Sequence, residues 1–86
     1  MKTLIDLRKE IDEIDDHILD LIAKRQEVVK KIGTYKKNNN LPIVDNKREQ
    51  EKLAVLKEKA EQVGTSYLLI SQIWKILYND AYSKEQ

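Results

Sequence analysis

The chain has 86 residues, with sixteen basic and fifteen acidic side chains, one histidine and no cysteine. Such a length makes one domain, residues 1–86, with a modest core and neither disulfides nor a thiolate metal site to reinforce it. Nearly balanced charge argues against a nucleic-acid binder relying on bulk charge, and no apolar run reaches membrane-spanning length.

The N-terminal Met1-Lys2-Thr3-Leu4-Ile5-Asp6 acquires charge too soon for a signal-peptide core, so the cytoplasm is the expected location. Thr3 followed by Asp6 predicts an N-cap with an acidic first turn. From Leu4 an apolar stripe runs through Leu7, Ile11, Ile14, Ile18 and Leu21, then resumes at Val28, Ile32 and Tyr35. This periodicity predicts a helix to about Lys37, roughly 50 Å long. Gly33 lowers helix propensity there without ending the helix. Asn38-Asn39-Asn40-Leu41-Pro42 is the first firm break. Asp45 or Asn46 caps a second helix, Asn46 having the capping-box spacing to Glu49. Its stripe is Leu53, Leu56, Ala60 and Val63, and Gly64 ends it. Thr65 and Ser66 are the candidate caps of a third helix, which carries Leu69, Ile70, Ile73, Trp74, Ile76, Leu77 and Ala81. The fold class is therefore all-α, with one long and two shorter helices. The short helices cannot cover the long stripe as well as their own, so a second copy packed antiparallel is expected: a homodimer.

The position that the stripe reserves between Leu21 and Val28 is Arg25. A guanidinium facing another helix needs an anionic partner, because an unpaired buried charge is very costly. Either a protein carboxylate meets it, with Glu49 and Asp45 as candidates, or the bundle keeps a site for an anionic ligand. Lys36 lies eleven residues on, close to three turns and roughly 16 Å along the same face, where the two cations can flank a small dianion. Arg8 precedes Arg25 by seventeen residues, about 25 Å along the axis and on another side. It reaches the Arg25 site only from the other subunit of an antiparallel dimer; its alternative is a rim pairing with Glu10 or Asp12. His17, among Asp15, Asp16 and Asp20, reads as a surface residue. No zinc spacing, nucleophile–histidine pairing or phosphate loop is present.

These residues together resemble the all-helical chorismate mutases. Leu7-Arg8-Lys9-Glu10-Ile11-Asp12-Glu13-Ile14-Asp15 is similar to the family's opening segment. Leu21-Ile22-Ala23-Lys24-Arg25, Ile32-Gly33-Thr34-Tyr35-Lys36 and Pro42-Ile43-Val44-Asp45-Asn46-Lys47-Arg48-Glu49 follow in a register without gaps from Arg8 to Glu49. The resemblance implies an intertwined dimer with two interior sites that rearrange chorismate to prephenate, on the path to phenylalanine and tyrosine. It implies that Arg25 binds one substrate carboxylate and that Arg8 of the other subunit binds the second. Lys36 then donates to the ether oxygen, Glu49 accepts from the ring hydroxyl, and Asp45 and Arg48 support that end of the site. A unimolecular [3,3] rearrangement requires no metal, cofactor, nucleophile or general base. Conformer selection and fixed donors at the ether oxygen are enough.

The family usually places a small polar residue and then, four residues later, a glutamine on the third helix; this chain has Ala81 and Glu85. Ala81 offers no side-chain hydrogen bond. Glu85 can donate to the ether oxygen only when protonated, a form favoured by burial beside an anionic substrate and opposed by Lys36. Activity is then expected to fall as pH rises. Gln86 takes the donor role instead if the last turn shifts by one residue. Tyr78 and Tyr82, one turn apart, either line the pocket or simply pack the third helix on the first. Two rival readings remain: an isochorismate-pyruvate lyase using the same cations, and a non-catalytic helical dimerisation module with Arg25 in a buried salt bridge.

Overall fold

Three helices form where the pattern places them: α1 (Leu4–Asn38), α2 (Asn46–Val63) and α3 (Tyr67–Glu85). The computed structural model describes residues 1–86 and measures 58 × 25 × 15 Å, its long dimension set by α1. Thr3 starts α1 with a complete capping box. Its hydroxyl accepts from the Asp6 N–H at 3.2 Å, and the Asp6 carboxylate accepts from the Thr3 N–H at 3.0 Å. The helix passes through Gly33 unbroken and ends among the asparagines, where Asn40 takes a left-handed φ of 55°.

At α2 the sequence offered two caps and Asp45 takes the role, its carboxylate accepting from the Arg48 N–H at 3.0 Å. Asn46 becomes the first helical residue, and Glu49 is drawn to Tyr82 rather than into a capping box. Gly64 ends α2 at φ 75°, a conformation that costs other residues a Cβ clash. Ser66 rather than Thr65 caps α3, accepting from the Leu69 N–H at 3.3 Å.

α3 packs against both other helices, while α1 and α2 do not pack on each other. The buried apolar residues are few: Val29 on α1, Leu56 and Ala60 on α2, and Ala81 on α3. Residues from Met1 to Leu21 are all exposed, so α3 covers only the C-terminal half of α1. Ile11, Ile14 and Ile18 remain 50–55% exposed along the free half. No helix is long and apolar enough to cross a membrane.

α3 comes close to the backbone of α1 at Gly33. A Cβ built there would lie 2.8 Å from the Glu85 Cα and 3.1 Å from the Glu85 carbonyl oxygen. Both are backbone atoms, which cannot rotate aside. The end of α3 therefore rests directly on the backbone of α1, and the Glu85 side chain is carried inward. An exposed mid-helix glycine gains about 1 kcal/mol on replacement by alanine. Gly33→Ala is expected to have the opposite sign, losing roughly 1–3 kcal/mol because α3 must move away. Urea unfolding measures it, and a variant more stable than the parent would contradict the close approach.

Candidate active site

A cleft of about 420 Å³ opens between the C-terminal half of α1, the start of α2 and the second half of α3. Its wall brings together Arg25, Lys36, Asp45, Arg48, Ala81 and Glu85 from the expected set, and adds Val29, Ile32, Lys52, Trp74, Tyr78 and Tyr82. Glu49 is not itself on the wall but is joined to it through the Tyr82 hydroxyl. Arg8 is exposed on the second turn of α1 and does not line the cleft; it forms no ion pair with Glu10 or Asp12. Glu10 instead pairs with Lys2. His17 is exposed, as expected of a surface residue.

Arg25 answers the question posed by its place in the apolar stripe. The ion pairs of the chain are Lys2–Glu10, Lys36–Glu85 and Lys84–Asp80, so neither Asp45 nor Glu49 meets Arg25. Its guanidinium lies over the Tyr78 ring, 5.8 Å from the centroid, and is half-buried. A ring face attracts a cation but carries no net charge to cancel it. Arg48 and Lys52, also on the wall, have no carboxylate partner either. The cleft wall therefore holds cations without a carboxylate partner.

The surroundings of Lys36 are more tightly wired. The Lys36 ammonium donates to the Ile43 carbonyl at 2.6 Å and lies 2.6 Å from Glu85 Oε1. Glu85 is among the few buried residues, its side chain only 3% exposed. Oε1 is off the direction that a hydrogen bond requires and has no other partner, so its contact with Lys36 is Coulombic. An ammonium has three donors, and the Ile43 carbonyl takes one of them, which leaves donor capacity for a ligand.

A three-helix chain whose cleft gathers cations from the long helix and from α2 matches a known pattern. Residues 7–86 fit the family model described as chorismate mutase type II. The chain belongs to the chorismate mutase type II family. It is 36% identical over 85 residues to the T-protein of Haemophilus influenzae, covering 99% of this chain and 22% of that protein. It is 31% identical over 87 residues to the chorismate mutase of Methanocaldococcus jannaschii, covering 99% of this chain and 88% of that one. Among solved structures, a conserved hypothetical protein from Pyrococcus furiosus superposes with a TM-score of 0.78 at 36% identity, over 100% of this chain and 99% of that one. The chain spans about a fifth of the length of the T-proteins that it matches.

Within this chorismate mutase type II chain, Glu85 lies in the cleft and Gln86 is exposed beyond the end of α3, so the last turn is not shifted by one residue. Ala81 is buried on the wall and contributes only apolar surface. Sequence reasoning missed Lys52, whose position among the charges of α2 resembles a solvated helix face. It also missed the purpose of Gly33. Of the two roles expected of the tyrosines, lining the cleft is the one seen; they also stack on each other, with centroids 6.2 Å apart and planes at 23°.

Burial raises the Tyr78 phenol above its usual 10.0, while Arg48 and Arg25 pull it down. For Tyr82, burial first and then the hydrogen bond to Glu49 push the phenol up to about 12. Its hydroxyl is thus a neutral donor across the whole physiological range. The folded state favours the neutral phenol, so this stabilisation is complete below pH 10.0 and is lost as pH rises toward about 12. Tyrosinate absorbance is expected to show a late phase near pH 12 that Tyr82→Phe removes. A late phase that persists in the variant would place the perturbed phenol elsewhere.

Proposed function

We propose that this chain is a chorismate mutase and that it works as an antiparallel homodimer, with residues 1–86 as one domain. The observation that carries this reading is Arg25: a half-buried cation on a cleft wall, without a carboxylate partner, beside two more unpaired cations. Chorismate supplies two carboxylates. In the rearrangement the ether C–O bond breaks as a C–C bond forms, in one step without proton transfer or redox change. Catalysis then consists of holding the compact conformer and stabilising negative charge on the ether oxygen.

Each residue has a task in this reading. Arg25 clamps one carboxylate, and bidentate pairing fixes its orientation. Arg8 of the partner subunit takes the second. The exposed apolar face of α1 supports such a partner: Leu4, Leu7, Ile11, Ile14, Ile18 and Leu21 lie open on the half that α3 leaves uncovered. A second α1 running antiparallel buries that stripe and carries its Arg8 toward Arg25. The remaining Lys36 donor points to the ether oxygen. Glu85, when protonated, adds a second donor there; as a carboxylate it neutralises Lys36 instead. Glu49 accepts from the ring hydroxyl, and Asp45 and Arg48 shape that end. A cytoplasmic location accompanies this reading, since small soluble dicarboxylates are the material on which it acts.

Product analysis tests the assignment, with chorismate and isochorismate offered separately to the purified chain and its Glu85→Gln variant at about pH 5 and about pH 7.5. Prephenate from chorismate, formed faster at the lower pH, is expected. Glu85→Gln should remove the pH dependence and raise the rate near neutrality. Equal rates at both values would keep the mutase and remove Glu85 as a donor. Pyruvate from isochorismate alone would make the chain a lyase, and no turnover by a folded dimer would leave the scaffold reading.

A further inference from the structure

The least explained group in the cleft is the Tyr82 hydroxyl. It donates to Glu49 Oε2 at 2.8 Å and accepts from the Asp45 N–H at 3.4 Å. Glu49 has no ion pair and no other side-chain hydrogen bond. A glutamate side chain has three rotatable bonds, so its orientation rests on this one contact from α3. The Tyr82 ring is itself held, stacked on Tyr78 and lying 5.8 Å beneath the Lys36 ammonium. Tyr82 is on the cleft wall and its hydroxyl is the contact that ties Glu49 to that wall, with the second Glu49 oxygen left without a protein partner.

We propose that Tyr82 is the residue through which this site reads a ring hydroxyl. Its hydroxyl occupies one oxygen of Glu49, fixes the carboxylate plane and leaves the other oxygen as the acceptor for the substrate. Tyr82 is thus a positioning residue for Glu49, and it sets the preference for a hydroxyl-bearing dicarboxylate over the same dicarboxylate lacking that hydroxyl. This role rests on the mutase reading above. An acceptor fixed in place selects strongly for a donor on the ligand, because an analogue without one leaves a desolvated carboxylate oxygen unpaired. An acceptor free to rotate loses most of that selection.

Tyr82→Phe removes the hydroxyl and keeps the ring, so its stacking on Tyr78 is retained; circular dichroism checks the fold. The measurement is kcat/KM for chorismate and for its ring-deoxy counterpart in four proteins: the parent, Tyr82→Phe, Glu49→Gln and the double variant. Tyr82→Phe is expected to lose roughly tenfold on chorismate and less than about twofold on the deoxy compound. In the Glu49→Gln background the same substitution should cost chorismate nothing further. An equal loss on both substrates would show a merely structural tyrosine, and an unchanged preference would show that Glu49 needs no help; either overturns the role. A parent that rearranges neither substrate overturns the mutase reading and this role with it. Turnover by the parent with an unchanged Tyr82→Phe preference overturns the role alone.

Discussion

Arg25 sits in the apolar seam of α1, half-buried, with an aromatic ring beneath it and no carboxylate paired with it. Desolvating a cation is expensive, and a ring face offsets only part of the penalty. A protein of this size has little stability in reserve. A charge left uncompensated at such a place makes physical sense when an anion completes it. The surrounding structure follows from that requirement. The cleft stays open around Arg25, the nearby carboxylate Asp45 is engaged as a helix cap, and Glu49 is engaged by Tyr82. Both acids that might have neutralised Arg25 are held elsewhere by hydrogen bonds.

α3 makes this arrangement possible by acting as the spacer between the other two helices. Its last turn rests on the α1 backbone at Gly33, which brings Glu85 inward against Lys36. Its middle presents Tyr78 to Arg25 and Tyr82 to Lys36 and Glu49. One helix thus sets the position of both ends of the cleft. The price is an uncovered N-terminal half of α1, whose isoleucines lie open in the single chain. Arg8 lies exposed on the same uncovered half of α1.

Much of the fold was legible because helices announce themselves locally. The three-and-four spacing of α1, the Thr3–Asp6 box and Gly64 after Val63 depend on neighbours in sequence, and each formed as read. Arg25 was legible as a break in a period. The choices between adjacent candidates were not. Asp45 over Asn46 and Ser66 over Thr65 turn on backbone angles that single residues do not reveal. Contacts across helices were also hidden. Nothing in the sequence near Gly33 indicates that Glu85, 52 positions later, packs on it. Glu49 looked like half of a capping box, and only the placement of α3 turned it toward Tyr82. Lys52 on the cleft wall had no distinguishing signal at all.

The central claim is that the charge of Arg25 exists for a ligand carboxylate rather than for the fold. The most direct test is the melting temperature of the parent chain and of Arg25→Leu, each with and without prephenate. Leucine continues the apolar stripe, so the unliganded variant should melt at or above the parent temperature. Ligand at about a hundred times its Kd stabilises a binding protein by roughly 2.7 kcal/mol, so the parent should shift upward by several degrees. The variant should not shift. A variant that melts well below the parent yet retains the full ligand shift would make Arg25 a structural residue and contradict the account.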